Sequence, residues 1–172
     1  MNTAIFKEIS YSKVLTYLVF FLVVIIYETL LAELFRIGQA RLDLSLLLLV
    51  YVSLTKGTKS GILFGFWLGL LLDVLTPLWL GLGSLVKAGL SYLIGVFKES
   101  LFVENIYSKI LLIFLVVMLN DLFRSLALNQ FNLDRVGSSL WQTSFFTALY
   151  TTAVAALAMI LNQKSRPKLK PV

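Results

Sequence analysis

The side chains of this sequence that could do chemistry are charged groups placed inside long apolar segments: Glu28, Asp73, Lys87, Asp121 and Arg124. The chain contains no Cys and no His, which excludes thiol nucleophiles, Ser-His-Asp triads, Cys/His metal sites and the usual proton shuttle near neutral pH. We therefore expect no catalytic residue, no metal and no cofactor. Intramembrane carboxylates can serve proton relays or transport, but no sodium, phosphate or nucleotide motif accompanies them.

Asp73 ends a series of small residues, Gly61, Gly65 and Gly69, that recur every four positions. Four residues advance a helix by about 400°, so these glycines share one face. Close packing drives helix association in lipid, and small residues at this spacing indicate a helix contact. The next apolar segment carries a matching set: Ser84, Ala88, Ser91 and Gly95. We predict that the two helices pack along these faces, the alternative being that such matches arise by chance in glycine-rich membrane helices.

Asp73 and Lys87 fall at overlapping depths of these two consecutive segments. A lone charge at the membrane centre costs at least about 2.5 kcal/mol on insertion scales, so pairing on adjoining helices is an economical arrangement. The sequence predicts an Asp73–Lys87 contact. The alternative, supported equally, is that Lys87 reaches outward to the interface and that Asp73 either reaches the interface or caps the turn.

Glu28, Asp121 and Arg124 are predicted to share the outer half of the membrane, beside Asn120. Asp121 and Arg124 are three positions apart on one helix and could neutralise each other. One interpretation is a polar cavity or partner-binding groove that opens outward. The other, which the sequence favours, is a set of buried pairs that fixes helix register.

The elements that must position these groups are membrane helices. Of the 172 residues 59% are hydrophobic and only 14% are charged, and the mean hydropathy is +0.90, outside the range of soluble domains. We predict an all-α protein with one membrane domain, residues 1–172. Its six apolar segments are about 14–34, 42–55, 60–76, 80–97, 110–128 and 141–161, the second being short enough to be re-entrant.

The distribution of basic residues predicts the orientation. With six crossings, most Lys and Arg residues fall on the side of the two termini, and only Arg36, Arg41 and Arg135 fall on the other. Both termini are therefore expected in the cytoplasm. The net charge of +6 is dispersed between apolar segments and concentrated only in the tail 164-KSRPKLKPV-172, which favours contact with anionic lipid head groups and argues against nucleic acid.

Three stretches together form a recognisable pattern: 51-YVSLTKGTKSG-61, 61-GILFGFWLGLLLDVLTPLWLGLGSL-85 and 92-YLIGVFKESLFVEN-105. This pattern resembles the rod shape-determining protein MreD family of bacterial inner-membrane proteins. The matching positions include Gly65, Gly69, Asp73 and Gly81. Lys87 departs from the small or apolar residue expected at its position.

The resemblance implies a non-enzymatic, multi-pass scaffold of the rod (elongation) complex in the inner membrane, which supports lateral peptidoglycan synthesis and cell shape. It implies partnership with an MreC-like single-span protein, and a link to MreB, RodA and the penicillin-binding transpeptidase. It also implies a fold similar to the substrate-binding subunits of energy-coupling-factor transporters. The alternative function is therefore a subunit of a membrane transporter that binds a small, vitamin-like molecule.

Overall fold

The chain folds into helices, and no β-strand occurs in the part that the computed structural model describes, which comprises residues 11–75, 80–100, 105–129, 136–137 and 140–164. The six α-helices of these ranges are α1 (Tyr11–Ile26), α2 (Leu44–Lys56), α3 (Thr58–Leu75), α4 (Leu82–Ser100), α5 (Ile106–Leu128) and α6 (Phe145–Lys164). Each overlaps one of the six predicted apolar segments, and the all-α prediction is confirmed. The basic tail beyond 164 lies outside the described residues.

The short helix α2 occupies the centre of the protein, where it contacts each of the other five helices. Its Leu46, Leu49 and Val52 are almost completely buried and belong to the main hydrophobic core. Two of its serines, Ser45 and Ser53, are buried as well. Because neighbours surround α2, its 13 residues need not match the full thickness of a bilayer.

The most extensive helix contact joins α3 and α4, followed by the contacts of α5 with α6 and of α2 with α3. A single residue, Gly57, separates α2 from α3, and its φ of +90° suits glycine. At the same end of the molecule, the Lys98 ammonium near the end of α4 donates to the Leu54 carbonyl at 2.8 Å. The ends of α2 and α4 and the start of α3 therefore lie together.

Within the described residues, two helices are long and apolar enough to cross a membrane, judged by length and composition: α3, and α5 over Ile106–Ala127. Shorter apolar helices occupy Leu15–Leu31, Leu44–Lys56 and Phe145–Leu161. Several large apolar side chains on the outer faces are more than half exposed, among them Leu18, Trp67 and Leu85. Such surfaces are stable in contact with acyl chains and would be unfavourable in water.

Helix α1 continues into a π-helical turn, Tyr27–Leu31, and a second π-helical turn, Leu140–Ser144, leads into α6. The first turn buries Tyr27, whose hydroxyl donates to the Leu42 carbonyl at 2.9 Å. This bond ties the end of α1 to the segment that enters α2. The π-helical turn also sets the position of Glu28, which it contains, and such turns often occur at functional sites.

A charged cavity beside the α3–α4 hairpin

Asp73, near the end of α3, caps the start of α4. One carboxylate oxygen accepts from the backbone N–H groups of Gly81 at 3.0 Å and Ser84 at 3.2 Å, and the other accepts from the N–H of Gly83 at 3.1 Å. The first N–H groups of a helix have no partner within the helix, and a negative charge there also interacts favourably with the helix dipole. The buried Asp73 side chain and the start of α4 therefore fix each other's position.

The predicted Asp73–Lys87 contact is replaced by the capping alternative. Among the described residues the one ion pair joins Arg36 and Glu33 at 3.4 Å. Three backbone donors satisfy Asp73, which leaves its oxygens directed at the start of α4 while Lys87 lies further along that helix. Lys87 is buried, with 7% of its surface exposed. Lys87 therefore does not reach outward to the interface, which was the other part of the alternative prediction.

The glycines of α3 lie against two different helices. A Cβ added at Gly69 would meet the Ser84 Cα and the Gly83 carbonyl of α4. One added at Gly65 would lie 2.8 Å from the Lys87 carbonyl of α4 and 2.8 Å from the Leu49 side chain of α2. From Gly69 to Gly65, the close contacts of α3 therefore change from α4 alone to both α4 and α2.

Gly61 departs from the prediction, because its close neighbour is Ser53 of α2 and not a residue of α4. The small residues of α4 are arranged similarly. Ser84 and Ser91 are buried opposite Gly69 and Gly65, Ala88 is half-buried, and Gly95 faces the Thr58 side chain at the start of α3.

Two glycines allow the cap itself to form. Gly81 has a φ of +99°, a conformation that L side chains rarely adopt. Gly83 leaves room for the carboxylate, because a Cβ there would collide with the Asp73 Oδ1 atom. The Ser84 hydroxyl also donates to the Gly81 carbonyl at 2.8 Å and closes the turn. The glycines between α3 and α4 are therefore part of the carboxylate site.

A cavity of about 390 Å³ lies beside this cap, among the ends of α1, α3 and α5 and the starts of α2 and α4. Among the described residues, the charged ones that line it are Glu28, Arg41, Asp43, Asp73, Lys87 and Arg124. Asn120 and Ser45 add polar groups, and Leu72, Leu75, Leu82 and Val86 add apolar ones. The predicted polar layer thus contains a cavity, with Glu28, Asp73, Lys87 and Arg124 around it.

Asp43 is a second capping carboxylate at this cavity. Its Oδ1 atom accepts from the Leu46 N–H at 3.0 Å and from the Ser45 hydroxyl at 2.7 Å, at the start of α2. Its own N–H donates to the Thr151 hydroxyl of α6 at 3.2 Å. Sequence reasoning missed Asp43, although an Asp immediately before an apolar helix is a helix-start signal.

Comparison with known protein families gives a match that covers most of the chain. The family model described as rod shape-determining protein MreD matches residues 9–163. The chain belongs to the MreD family. Membership gives it a role as a bacterial membrane protein that determines rod shape. Searches of curated proteins and of solved structures returned no significant match.

In this MreD chain Asp121 and Arg124 do not form the predicted pair. Within the described residues, the Asn120 side-chain amide donates to the Asp121 Oδ1 atom at 3.4 Å, and no ion pair joins Asp121 to Arg124. Arg124 lines the cavity, whereas the cavity lining does not include Asp121. Three-residue spacing on α5 is thus insufficient to pair the two groups, because their side chains have different neighbours.

Proposed function

We propose that this MreD protein is a non-enzymatic scaffold of the rod complex in the bacterial inner membrane, where it supports lateral peptidoglycan synthesis with an MreC-like partner. The family match over residues 9–163 is the observation that carries this proposal. By extension, MreB, RodA and the penicillin-binding transpeptidase are proposed as further members of the assembly. Membrane lipids are its surroundings, and the tail is proposed to bind their anionic head groups.

The use of the two capping carboxylates supports a structural role. Asp43 and Asp73 each accept hydrogen bonds at the start of a helix, which is what a carboxylate does when it fixes the position of an element. Exposed apolar faces, such as that formed by Leu15, Leu18 and Leu22 on α1, are available to lipid or to a partner helix. A rigid hairpin with apolar outer faces suits a protein that holds other membrane helices in place.

We further propose that the chain is one membrane domain with six spans, both termini in the cytoplasm and a fold like that of the substrate-binding subunits of energy-coupling-factor transporters. Lys56, Lys59 and Lys98 support this orientation because they gather at one end of the helices. Arg36 and Arg41 lie at the other end, in the segment between α1 and α2. A basic cytoplasmic face follows the positive-inside rule.

The orientation can be tested directly because the chain has no native Cys. In intact cells with a permeable outer envelope, a membrane-impermeant maleimide is expected to label Arg36→Cys and to leave Lys59→Cys unlabelled. Both side chains are exposed, so a difference in labelling reports the side of the membrane. Lysed cells provide the control, in which both variants should react. Labelling of Lys59→Cys alone in intact cells would contradict the orientation.

The scaffold proposal is tested by affinity purification from the native membrane in mild detergent. We expect an MreC-like protein and wall synthases to be recovered, and depletion of the chain to give rounded cells. Recovery of a transporter ATPase module in their place would support the alternative, a subunit that binds a small vitamin-like molecule. The cavity favours keeping that alternative, since its volume lies within the range of small-molecule sites, about 300–1,000 Å³.

A further inference from the structure

We propose that the cavity between the ends of α1 and α3 and the starts of α2 and α4 binds a phosphate group, with Lys87, Arg124 and Arg41 as its cationic contacts. The phosphate could belong to a lipid head group or be free in solution, and the chemistry of recognition is the same. This inference goes beyond the scaffold proposal and does not depend on any partner protein.

The first argument is the balance of charge around the cavity. Of the described residues, three cations and three carboxylates line it. Two of these carboxylates, Asp43 and Asp73, already accept hydrogen bonds at the starts of α2 and α4. Their charge is therefore directed at backbone N–H groups, and Glu28 is the one lining carboxylate that makes no such bond among the described residues. The formal charges of this lining balance, but two of its three carboxylates are already engaged at the starts of helices, whereas the cations can still donate to an anion.

The second argument is the burial of the Lys87 side chain and the bonding of its ammonium. Its side chain is more than nine-tenths buried and lines the cavity. Within the described residues, its ammonium makes no hydrogen bond and no ion pair, and the same holds for the guanidinium of Arg124. Because Lys87 lines the cavity, its ammonium is available to a ligand there. A bound anion would supply a partner through charge-assisted hydrogen bonds.

The third argument is the chemistry of the rest of the lining. Arg124 and Arg41 each offer a guanidinium, the group best suited to two-point contact with phosphate oxygens. Asn120 adds an amide, and Leu72 and Val86 form an apolar side to the same cavity. A phosphate that carries an apolar substituent, as in a phospholipid, would contact both kinds of surface.

The test uses the purified full-length protein in detergent, freed of bound lipid. Inorganic phosphate is titrated at constant ionic strength and followed by calorimetry. In parallel, native mass spectrometry measures retention of phosphatidylglycerol against a diacylglycerol with the same acyl chains but no phosphate. Binding of inorganic phosphate identifies a site for the free ion, whereas binding of phosphatidylglycerol alone identifies a head-group site. Either result supports the proposal.

Variants connect the binding to the cavity. Lys87→Met and Arg124→Gln should each weaken binding by about tenfold or more, since each removes a charge-assisted contact. Glu28→Gln should strengthen binding by about threefold, because it removes a like charge from the cavity. An increase in affinity cannot result from poor folding, so this variant guards against misfolding as an explanation.

Lys59→Met and Arg36→Gln are the matched controls, because they remove the same charges from exposed positions outside the cavity. Their affinities should equal that of the unaltered protein. The proposal is overturned if neither probe binds, or if Lys87→Met and Arg124→Gln bind as the unaltered protein does. If a partner's carboxylate occupies the cavity in place of phosphate, the purified protein will bind neither probe, and that too overturns it. None of these outcomes bears on the recovery of partners in the scaffold experiment.

Discussion

Replacing Asp73 with Ala should lower the free energy of unfolding by about 3 kcal/mol. The substitution removes the acceptor of three backbone N–H groups, those of Gly81, Gly83 and Ser84. A buried donor left without a partner costs about 1–3 kcal/mol, and loss of a helix cap alone costs about 1 kcal/mol. The start of α4 should separate from α3 as a result. Unfolding of the purified protein in detergent, followed by helical circular dichroism, measures the change.

Asp73→Asn tests whether Asp73 acts only as a helix cap or also through its negative charge. Its amide oxygen can still accept from the start of α4, so about half of the loss in stability should be recovered and cell shape should be maintained. Glu33→Ala is the control, since it removes a carboxylate from an exposed pair at 3.4 Å and should change stability by less than about 1 kcal/mol. If Asp73→Asn folds normally yet gives rounded cells, the carboxylate has a role other than capping.

The six helices of the described residues could be predicted from the sequence because a long apolar segment is a local property. The approach of α3 to α4 was also predictable, since Gly65 and Gly69 carry a packing preference in their own spacing. These predictions needed no knowledge of which groups meet across the fold. That is why they hold for whole elements and for faces of helices.

The partners of individual polar groups could not be predicted in the same way. Asp73 and Lys87 are at overlapping depths, but the carboxylate is satisfied by amides of a turn whose shape depends on the φ of Gly81. Gly61 shares a face with Gly69, yet α2 crosses α3 there and supplies Ser53 as the neighbour. The cavity likewise depends on how the ends of α1 and α5 meet the start of α2. Pairing depends on crossing angles, which residue spacing on one helix does not specify.

The contact between α3 and α4 leads to the second large expected effect, which is at Gly69. Gly69→Ala should destabilise the protein by about 2–3 kcal/mol, although Ala is otherwise the better helix former by about 1 kcal/mol. The added Cβ would meet the Ser84 Cα and the Gly83 carbonyl. These are backbone atoms of α4, which cannot turn aside as a flexible side chain could.

Gly89→Ala is the matched control for Gly69→Ala. Gly89 lies within α4, is exposed, and has nothing within 4 Å of an added Cβ. The same substitution there should leave stability unchanged or raise it by up to about 1 kcal/mol. Unfolding of both variants in detergent provides the comparison. Equal stability of the two would contradict close backbone contact at Gly69.

The effects of Gly69→Ala and Asp73→Ala should not be independent. Because the Gly83 N–H also donates to Asp73, moving α4 away from α3 should weaken the cap as well. The double variant should therefore lose less free energy of unfolding than the sum of the losses of the two single variants.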